Sequence, residues 1–330
     1  MIKSKTKYQI NKNDIEKIFA KHSLGEVSEM IPFGGGEFNT ACKVLAIKDG
    51  APISYVVKLS PQEEINVLTY EKNMMSAEVY WYEQIRKNTD IRIPIVYIFD
   101  DTREIIPVNY FVMEYISGEP LYSYDLSEKQ RDEIKREKLR MLSQIHKITG
   151  DFFGYYQGEH FKTWYEAIRS MVSSLITDCE ALGKETSDGH TLLEAIDRHK
   201  SILEKVPCRM VNFDLWDSNV LLENGEKPVW IDPERSFYGD PIGDMITQGK
   251  SQMAKLSEKE EEIQIYNGFA SQPLLLNEEA NIRYAVMVSY LALIEEVEKY
   301  VRYEPTDENY IRNTKDARAM YDMAFEFLKI

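Results

Sequence analysis

Residues 211–222 read Val211-Asn212-Phe213-Asp214-Leu215-Trp216-Asp217-Ser218-Asn219-Val220-Leu221-Leu222, and residues 229–232 read Val229-Trp230-Ile231-Asp232. The apolar runs 220–222 and 229–231 flank Glu223-Asn224-Gly225-Glu226, and a central Asn-Gly pair is typical of a β-hairpin turn. Antiparallel pairing brings the loop before the first strand beside the end of the second. We therefore expect the side chains of Asp214, Asn219 and Asp232 to converge at the open end of this hairpin.

These three side chains suit the transfer of a phosphoryl group from ATP. One carboxylate can orient the attacking hydroxyl, while an amide oxygen and a second carboxylate hold magnesium on the phosphates. The simpler alternative is that Asp214 and Asn219 stabilise a loop, and that Asp232, before Pro233, merely ends a strand. An Asp and an Asn five residues apart occur by chance in many proteins, but the hairpin and the second Asp favour the functional interpretation.

Composition and charge limit the classes of partner. The 330 residues carry a formal net charge of −15, which disfavours binding to nucleic acid or to an anionic membrane. This charge would suit a cationic small molecule, although acidity also serves solubility alone. The longest nearly apolar run, 285–294, is too short to span a bilayer and predicts a buried helix.

The cysteines and the first residues indicate the compartment. Cys42, Cys179 and Cys208 are far apart and odd in number, so they predict neither a disulfide framework nor a cysteine-based zinc site. No apolar segment follows the start of the chain, so we expect no signal peptide. Together these features predict a cytoplasmic protein.

The two parts of the chain differ in predicted secondary structure. Up to residue 116 the pattern is mostly β, and beyond the turn-forming Ser117-Gly118-Glu119-Pro120 it is mostly helical. We predict an N-terminal lobe at 1–116 and a C-terminal lobe at 117–330, joined by a hinge at 113–118. The predicted strands are 30–33, 41–47, 54–59, 96–99 and 110–116, with the hairpin described above as the only strong β signal in the second part. The predicted helices are 13–22, 68–85, 127–148, 164–182, 192–206, 282–303 and 314–328.

Three features of the first part could bind a nucleotide: a glycine-rich segment, a lysine with a glutamate partner, and the predicted hinge. Gly34-Gly35-Gly36, between two predicted strands, lets a backbone approach a phosphate closely, although an ordinary hairpin turn would also use it. Lys58 in an apolar strand could hold the α- and β-phosphates, oriented by Glu78 or Glu83 of the next helix. The alternative is an edge-strand lysine with its head in water and a solvated glutamate.

The predicted hinge could hold an adenine. The C=O of Glu114 and the N–H of Ile116 would bond the base, with Met113 beside it, although the same residues also read as a strand end and a turn. His146 lies on the apolar face of the helix 127–148, which predicts a buried, hydrogen-bonded histidine. Neither a zinc spacing of histidines nor a Gly-x-Ser-x-Gly elbow is present in the sequence, which argues against a zinc enzyme and an α/β-hydrolase.

The order of these parts resembles the aminoglycoside phosphotransferase and choline kinase superfamily of small-molecule kinases. The likeness covers nearly the whole chain, and its last two blocks are the most specific. The blocks are Phe33-Gly34-Gly35-Gly36-x2-Asn39, Val57-Lys58, Glu78, Phe111-Val112-Met113-Glu114-Tyr115-Ile116-x-Gly118, Leu142-x2-Ile145-His146, Asp214-Leu215-Trp216-x2-Asn219, and Ile231-Asp232-x-Glu234-x4-Gly239-Asp240-Pro241-x2-Asp244.

The resemblance implies an α+β, protein-kinase-like bilobal fold, with an N-terminal antiparallel sheet carrying one helix and a larger helical lobe. It implies that Asp214 is the catalytic base or hydroxyl-orienting group and that Asn219 and Asp232 are ligands of Mg²⁺. Lys58 would be the phosphate clamp and Glu78 its partner.

Other positions follow the family pattern or depart from it. The resemblance implies that Asp240 and Asp244 are structural acids that cap a helix and brace the catalytic loop. Residues 151–182 look like the helical substrate-side insertion of bacterial members. The family usually has His-Gly before the catalytic Asp, and here the pair is Asn212-Phe213. Asn212 could partly replace the loop-holding hydrogen bond of that histidine.

The leading hypothesis is an ATP- and Mg-dependent kinase acting on a hydroxyl of a small molecule. An aminoglycoside-like or other cationic acceptor suits the acidic chain and Glu234 near the site, while a fructosamine, a sugar or an amino alcohol are alternatives. Asn212-Phe213 leaves open a catalytically silent, nucleotide-binding pseudokinase. A third alternative is an α+β binding protein that takes no nucleotide.

Overall fold

The computed structural model describes residues 6–34, 38–249 and 251–330. These residues form two compact units. The first comprises residues up to 66 together with 93–117, and the second comprises 67–92 together with 118–330. The segment 67–92 therefore packs with the second unit, whereas the sequence-based division placed it in the N-terminal lobe. That division at residue 116 stays a prediction.

The first unit is built on one antiparallel sheet and one helix. The sheet order is β1-β2-β3-β5-β4, so β3 is the central strand. The elements are α1 (Lys12–Lys21), β1 (Glu26–Pro32), β2 (Thr40–Lys48), β3 (Ala51–Leu59), β4 (Val96–Asp100) and β5 (Tyr110–Glu114). Helix α1 begins earlier than predicted, because the side chain of Asn11 accepts a hydrogen bond from the Asp14 N–H and acts as the N-cap. Its buried Ile15, Ile18 and Phe19 belong to the same core as the inward face of the sheet.

The second unit contains the remaining helices and two small sheets. Helix α8 contacts α4, α5 and α9, and the apolar run 285–294 is buried within it, as predicted. Its helices are α2 (Met74–Asn88), α3 (Glu128–Ile145), α4 (Trp164–Ala181), α5 (Ser187–Arg198), α6 (Lys200–Leu203), α7 (Glu260–Asn267), α8 (Glu278–Arg302) and α9 (Glu308–Leu328). Its strands are β6 (Gly118–Pro120), β7 (Arg209–Val211), β8 (Val220–Glu223), β9 (Lys227–Trp230) and β10 (Phe237–Gly239). The α+β prediction, with an antiparallel N-terminal sheet and a helical remainder, is confirmed.

Several predicted boundaries were wrong. The helix predicted at 68–85 begins only at Met74, after a 3-10 turn at Thr69–Glu71. The helix predicted at 192–206 is two helices, α5 and α6, which meet at His199. The paired strands β7 and β10 were missed because three residues are too few to show an alternating pattern.

The predicted hairpin is confirmed. Strands β8 and β9 pair antiparallel, with Val220 opposite Trp230, and β6 adds to the other edge of β8. Asn224 and Gly225 in the turn have φ angles of 55° and 76°. Positive φ at both central residues is the requirement of a type I′ turn, which an Asn-Gly pair meets with little strain. This pairing positions the residues at the open end.

A buried network of charges ties α8 to the segment around residue 70. Arg302 Nη1 lies 3.0 Å from Glu298 Oε2, and its other terminal nitrogen bonds Glu71. Arg235 Nη2 bonds Glu298 Oε1 at 2.7 Å, and the Tyr70 hydroxyl donates to the same oxygen. Every carboxylate of this network therefore has a cationic partner, which is the condition for burying such groups without a large penalty. Among the described helices, none combines the length and the apolarity that crossing a membrane requires.

Replacing Arg302 by Met should destabilise the protein by about 3–5 kcal/mol, because it leaves buried carboxylates without their cation. The side chain of Arg302 is 5% exposed, while that of Arg318, which also bonds two acids, is 50% exposed. The matched variant Arg318→Met should change the free energy of unfolding by less than about 1 kcal/mol. Urea unfolding of both variants measures the difference. An equal change in the free energy of unfolding in both variants would show that burial does not increase the contribution of these ion pairs to stability.

Candidate active site

The open end of the hairpin brings Asp214, Asn219 and Asp232 together. The Ile231 N–H donates to the Asn219 carbonyl at 2.9 Å, which sets the loop before β8 beside the end of β9. Asn219 Nδ2 donates to Asp214 Oδ2 at 2.8 Å and to the Asp214 carbonyl at 2.9 Å. Asp232 follows Ile231 directly. The backbone of Asp232 is therefore beside Asn219, as the hairpin predicts, while the roles of the three side chains stay a prediction.

Two further carboxylates lie beside Asp232. One oxygen from each of Glu78, Asp232 and Glu234 lies within 4.8 Å of the others. Glu78 is on α2, which packs against the turn Pro233–Arg235. Asp232 has a φ of 64°, and its N–H donates to the Tyr82 hydroxyl of the same helix at 2.9 Å. Helix α2 thus fixes the position of the Glu78 carboxylate and that of the Asp232 backbone.

The donor set fits magnesium. The amide nitrogen of Asn219 donates hydrogen bonds to Asp214. The Oδ1 of Asn219 therefore points away from Asp214 and is the atom of this side chain that would bind a cation. Asp232 and Glu234 add carboxylate oxygens, and magnesium prefers such hard ligands. The residues that would hold the ion are Asn219 and Asp232, with Glu234 as a neighbouring acid. Sequence reasoning noted Glu234 only as a nearby charge, because its distance to Glu78 depends on tertiary packing.

The surroundings of Asp214 raise the pKa of its carboxyl group. The side chain is half-buried, but its carboxyl group is densely surrounded by protein, and this desolvation raises its pKa to about 7. Arg235 opposes the rise, while Asp232 and Glu234 add to it. The site therefore holds more negative charge than Arg235 neutralises, which is a further reason to expect a divalent cation there.

The loop carrying Asp214 is braced from behind by Asp244. The carboxylate of Asp244 is fully buried and accepts the N–H of Asn212 at 2.9 Å and that of Phe213 at 2.6 Å. His146 Nε2 lies 2.9 Å from Asp244, and its Nδ1 lies 2.7 Å from the Tyr266 hydroxyl. His146 is thus the buried, hydrogen-bonded histidine that was predicted, and Asp244 is the predicted brace.

Two more contacts hold the same region. Asp240 accepts from the Ile242 N–H at 3.1 Å and caps the turn that carries Asp244, and both Asp240 oxygens also accept from Arg283. Lys138 of α3 donates to Asp217 at 2.6 Å, which ties down the other end of the catalytic loop. The loop is therefore held at both ends by charged groups, independently of a ligand.

Asn212 replaces the usual histidine only in part. Its Oδ1 accepts the Asp214 N–H at 3.1 Å, as expected for a loop-holding residue. Its Nδ2 is buried, and no hydrogen-bond acceptor for it lies within the described chain. An unsatisfied buried donor costs about 1–3 kcal/mol. Asn212 thus holds the loop through its Oδ1, while its unsatisfied Nδ2 lowers the stability of the folded protein.

Phe213 has a left-handed backbone, with φ of 63°, at the position where glycine is usual. Such a conformation costs a non-glycine residue roughly 1–2 kcal/mol. The ring compensates by packing against Phe237 and Tyr290, with centroids 5.4 and 5.7 Å away. The aromatic contacts of Phe213 therefore offset the strain of its backbone and hold the loop against α8.

Lys58 and Glu78 are both buried. Lys58 is 7% exposed and lies on the central strand β3, between Ala41 of β2 and Phe111 of β5, so the edge-strand alternative was wrong. Glu78 is fully buried on α2, while Glu83, the other proposed partner, is exposed. The role of the lysine as a phosphate clamp stays a prediction.

The remaining residues predicted to bind the nucleotide lie in the first unit. A side chain added at Gly34 would meet no atom within 4 Å, so this glycine is not required by packing, and Gly35 and Gly36 lie outside the described residues. Glu114 ends β5, and its N–H donates to the Ile95 carbonyl at 2.8 Å. Met113 and Ile116 are buried on either side of it. Their part in adenine binding stays a prediction.

A further carboxylate, Glu295 of α8, has an unusual environment. Burial raises its pKa to about 8, Asp316 and Glu298 add to this effect, and Arg235 and Arg312 oppose it. Its Oε1 accepts from Gln252 at 3.4 Å, while its buried Oε2 has no hydrogen-bond partner in the part of the chain that the structure describes. Glu295 and Asp214 both interact electrostatically with Arg235. No local sequence signal distinguishes Glu295 from its neighbour Glu296.

Comparison with known proteins supports the assignment of this chain as a phosphotransferase. The sequence model of the phosphotransferase enzyme family matches residues 29–258, which is more than half of the chain. No curated protein sequence gives a significant match.

Solved structures share the fold at low sequence identity. A presumed aminoglycoside phosphotransferase from Ralstonia eutropha JMP134 is 16% identical with a TM-score of 0.68, covering 97% of this chain and 99% of its own. A gentamicin complex of aminoglycoside phosphotransferase APH(2″)-IIa is 17% identical with a TM-score of 0.62, covering 95% and 99%. A thermostable mutant of APH(4)-Ia with AMP-PNP and hygromycin B is 16% identical with a TM-score of 0.61, covering 96% and 98%.

The variant Phe213→Gly should lower the free energy of unfolding by about 1–4 kcal/mol. Relief of the left-handed backbone recovers roughly 1–2 kcal/mol, while removal of a buried phenylalanine side chain costs about 3–5 kcal/mol or more. The control Asn224→Gly also has a positive φ, but the residue is exposed in the hairpin turn, so its effect should stay below about 1 kcal/mol. Urea unfolding compares the two. A more stable Phe213→Gly variant would contradict the packing argument.

Glu295→Gln should stabilise the protein increasingly as the pH rises. The native pKa of about 8 exceeds the ordinary value of 4.5, so the native state holds an extra proton between these pH values. The wild type therefore loses stability from pH 4.5 to 8, by on the order of 2–4 kcal/mol, and the Gln variant does not. Unfolding at pH 4.5, 6 and 8 measures this divergence. The exposed Glu194→Gln is the control, and parallel curves for Glu295→Gln and wild type would contradict the prediction.

Proposed function

Because the chain belongs to the phosphotransferase enzyme family, we propose that it is an ATP- and Mg-dependent kinase that phosphorylates a hydroxyl of a small cationic molecule. The observation that carries the proposal is the meeting of Asp214, Asn219 and Asp232 at the open end of one hairpin. A relative of the same fold, APH(2″)-IIa, has been crystallised with ATP and streptomycin, which supports both the nucleotide and the acceptor class.

Asp214 acts on the attacking hydroxyl. Asn219 holds one of its carboxylate oxygens, so the orientation of the group is set before substrate arrives. A hydroxyl that bonds the other oxygen is aimed at the terminal phosphate. Its proton passes to the carboxylate as its oxygen bonds the γ-phosphorus, and the bond from that phosphorus to the bridging oxygen breaks to release ADP. Asn219 and Asp232 would hold magnesium, which would supply positive charge next to the phosphates. Catalysis then consists mainly of positioning and electrostatic stabilisation.

The first unit supplies the nucleotide contacts. Lys58, buried on the central strand, binds the α- and β-phosphates, with Glu78 as its partner. The glycine-rich sequence at 34–36 is assigned to the phosphates from its composition, since Gly35 and Gly36 lie outside the described residues. Glu114 and Ile116 bond the adenine, with Met113 beside it. The protein works in the cytoplasm, without a nucleic-acid or membrane partner.

The charge around Asp214 favours a cationic acceptor. Asp232, Glu234 and Glu298 all act on the Asp214 carboxyl group, with Arg235 as the opposing cation. Glu295, which also interacts with Arg235, has a carboxylate oxygen without a partner in the described ranges, and an ammonium group of an acceptor would satisfy it. An aminoglycoside-like molecule fits best, and a fructosamine or an amino alcohol shares the cation. A neutral sugar fits less well.

A catalytically silent nucleotide-binding protein is the second candidate, because Asn212 and Phe213 depart from the family pattern. Asn212 still bonds the loop, and the donor set for magnesium is intact, which favours the enzyme. Transfer of labelled γ-phosphate to a panel of hygromycin B, gentamicin, streptomycin, a fructosamine and an amino alcohol distinguishes them. Binding of Mg-ATP without transfer to any acceptor would favour the silent protein, and no thermal shift with Mg-ATP would contradict both.

Asp214→Asn should lower kcat by about 10²–10⁴-fold, since it removes the proton acceptor. The nucleotide should still bind, as a thermal shift with Mg-ATP would show. Glu78→Gln should also lower activity, whereas the exposed Glu83→Gln on the same helix should not. Unchanged turnover in Asp214→Asn would overturn the assignment of the catalytic group.

A bound ammonium group would oppose the rise in the pKa of Glu295 and favour its charged form. Glu295→Gln removes this carboxylate, so it should raise KM for a cationic acceptor about tenfold, with kcat and the KM for ATP nearly unchanged. The comparison is made on the best acceptor from the panel and on its N-acetylated form, which lacks the ammonium charge. An equal effect on both forms would show that Glu295 does not bind the cation.

A further inference from the structure

A cavity lies in the second unit, behind the catalytic loop. It has a volume of about 220 Å³ and lies among the end of α3, the start of β7, the turn at 241–242 and the segment that leads into α8. Asp214, Asn219, Asp232 and Glu234 do not line it. The cavity is therefore separate from the candidate active site.

The polar lining of this cavity includes two arginines, although the chain as a whole is acidic. Arg209 and Arg283 line it, and Glu279 is the one acid among its described lining residues. Arg283 is already paired with Asp240, but the guanidinium of Arg209 makes only a long bond of 3.4 Å to Gln272 among the described residues. Asn277, the N-cap of the 25-residue helix α8, also lines the cavity, so the positive end of that helix faces it.

Another part of the lining is apolar. Ile242, Leu274 and Leu275 contribute aliphatic side chains, and Pro207 and Pro241 add rigid surfaces. Leu275 is 58% exposed, which places it at the mouth of the cavity. A few convergent polar groups over an apolar wall are the usual composition of a small-molecule site.

The cavity wall is connected to the catalytic loop by hydrogen bonds. Tyr266 and His146 both line the cavity, and a chain of hydrogen bonds runs from the Tyr266 hydroxyl through His146 to Asp244. Asp244 in turn holds the N–H groups of Asn212 and Phe213. Burial raises the pKa of the Tyr266 hydroxyl, Asp244 adds to the effect and Arg209 opposes it, so Arg209 lies close enough to act on this chain.

We propose that this cavity is a second ligand site, for a small organic anion whose carboxylate or phosphate binds Arg209 while a short apolar body lies against Leu274 and Leu275. The anion would displace the weak contact to Gln272 and gain a charge-assisted bond in its place. A ligand packed against Tyr266 and His146 stabilises the chain that ends at the catalytic loop. Occupancy of the cavity is thereby coupled to the rigidity of residues 212 and 213.

The test uses the full chain and three probes of similar body: benzoate, phenyl phosphate and the uncharged benzyl alcohol. Calorimetric titration should show that at least one of the two anions binds at least tenfold more tightly than benzyl alcohol. Arg209→Gln should weaken the binding of that anion at least tenfold, and Arg131→Gln, which changes an exposed arginine of α3, should leave it unchanged. Leu275→Trp should block the mouth and also abolish binding, with the fold checked by its unfolding transition.

Hydrogen exchange of the Asn212 and Phe213 amides measures the coupling without any enzyme assay. The bound anion should slow both amides severalfold in the wild type and leave them unchanged in Arg209→Gln. Failure of both anions to bind, or equal binding to wild type and Arg209→Gln, would overturn the site. Binding that needs Arg209 but leaves the exchange of these two amides unchanged would overturn the coupling. Neither result depends on phosphoryl transfer.

Discussion

One buried carboxylate holds the catalytic loop in place. Asp244 accepts two consecutive backbone N–H groups, those of Asn212 and Phe213, immediately before Asp214. A charge at this depth persists only because the two amides and His146 satisfy it. The bonds fix the backbone direction at which the chain enters the loop, and the hairpin fixes where it leaves. The position of the Asp214 carboxylate follows from these two constraints.

A second constraint links the site to the helical core. Arg235 follows closely after Asp232 and bonds Glu298 of α8, which in turn bonds Arg302. Arg235 thus connects the charged groups of the active site with the buried charge network that joins α8 to the segment around residue 70. Stability and electrostatics are set by the same buried groups, so a change in the core alters the environment of Asp214.

The sequence predicts those parts of the molecule in which local chemistry decides the structure. The type I′ turn at Asn224-Gly225 and the buried helix α8 follow from residue type and spacing, and so does the meeting of Asp214 with Asn219. The missed features depend on packing between distant residues. Strands β7 and β10 pair with each other across 26 positions or more of sequence, and the proximity of Glu234 to Glu78 requires α2 to pack on the turn. The environment of Glu295 depends on Arg235 and on α9, which are both distant in sequence. The left-handed backbone of Phe213 is visible in the sequence only as a phenylalanine where glycine is usual.

The place of Lys58 in the sheet has a consequence for how this protein can change over time. Lys58 is flanked on both sides by paired strands, opposite Ala41 and Phe111. Side chains alternate between the two faces of a strand, so a shift of one residue would move this lysine to the opposite face. Insertions or deletions of one residue between β2 and β3 should therefore be eliminated by selection, even though the turn there is exposed. The length of that hairpin should be fixed among functional descendants of this chain. Its turn residues, Asp49 and Gly50, have φ angles of 53° and 79°, so they should vary only among residue types that tolerate a left-handed backbone.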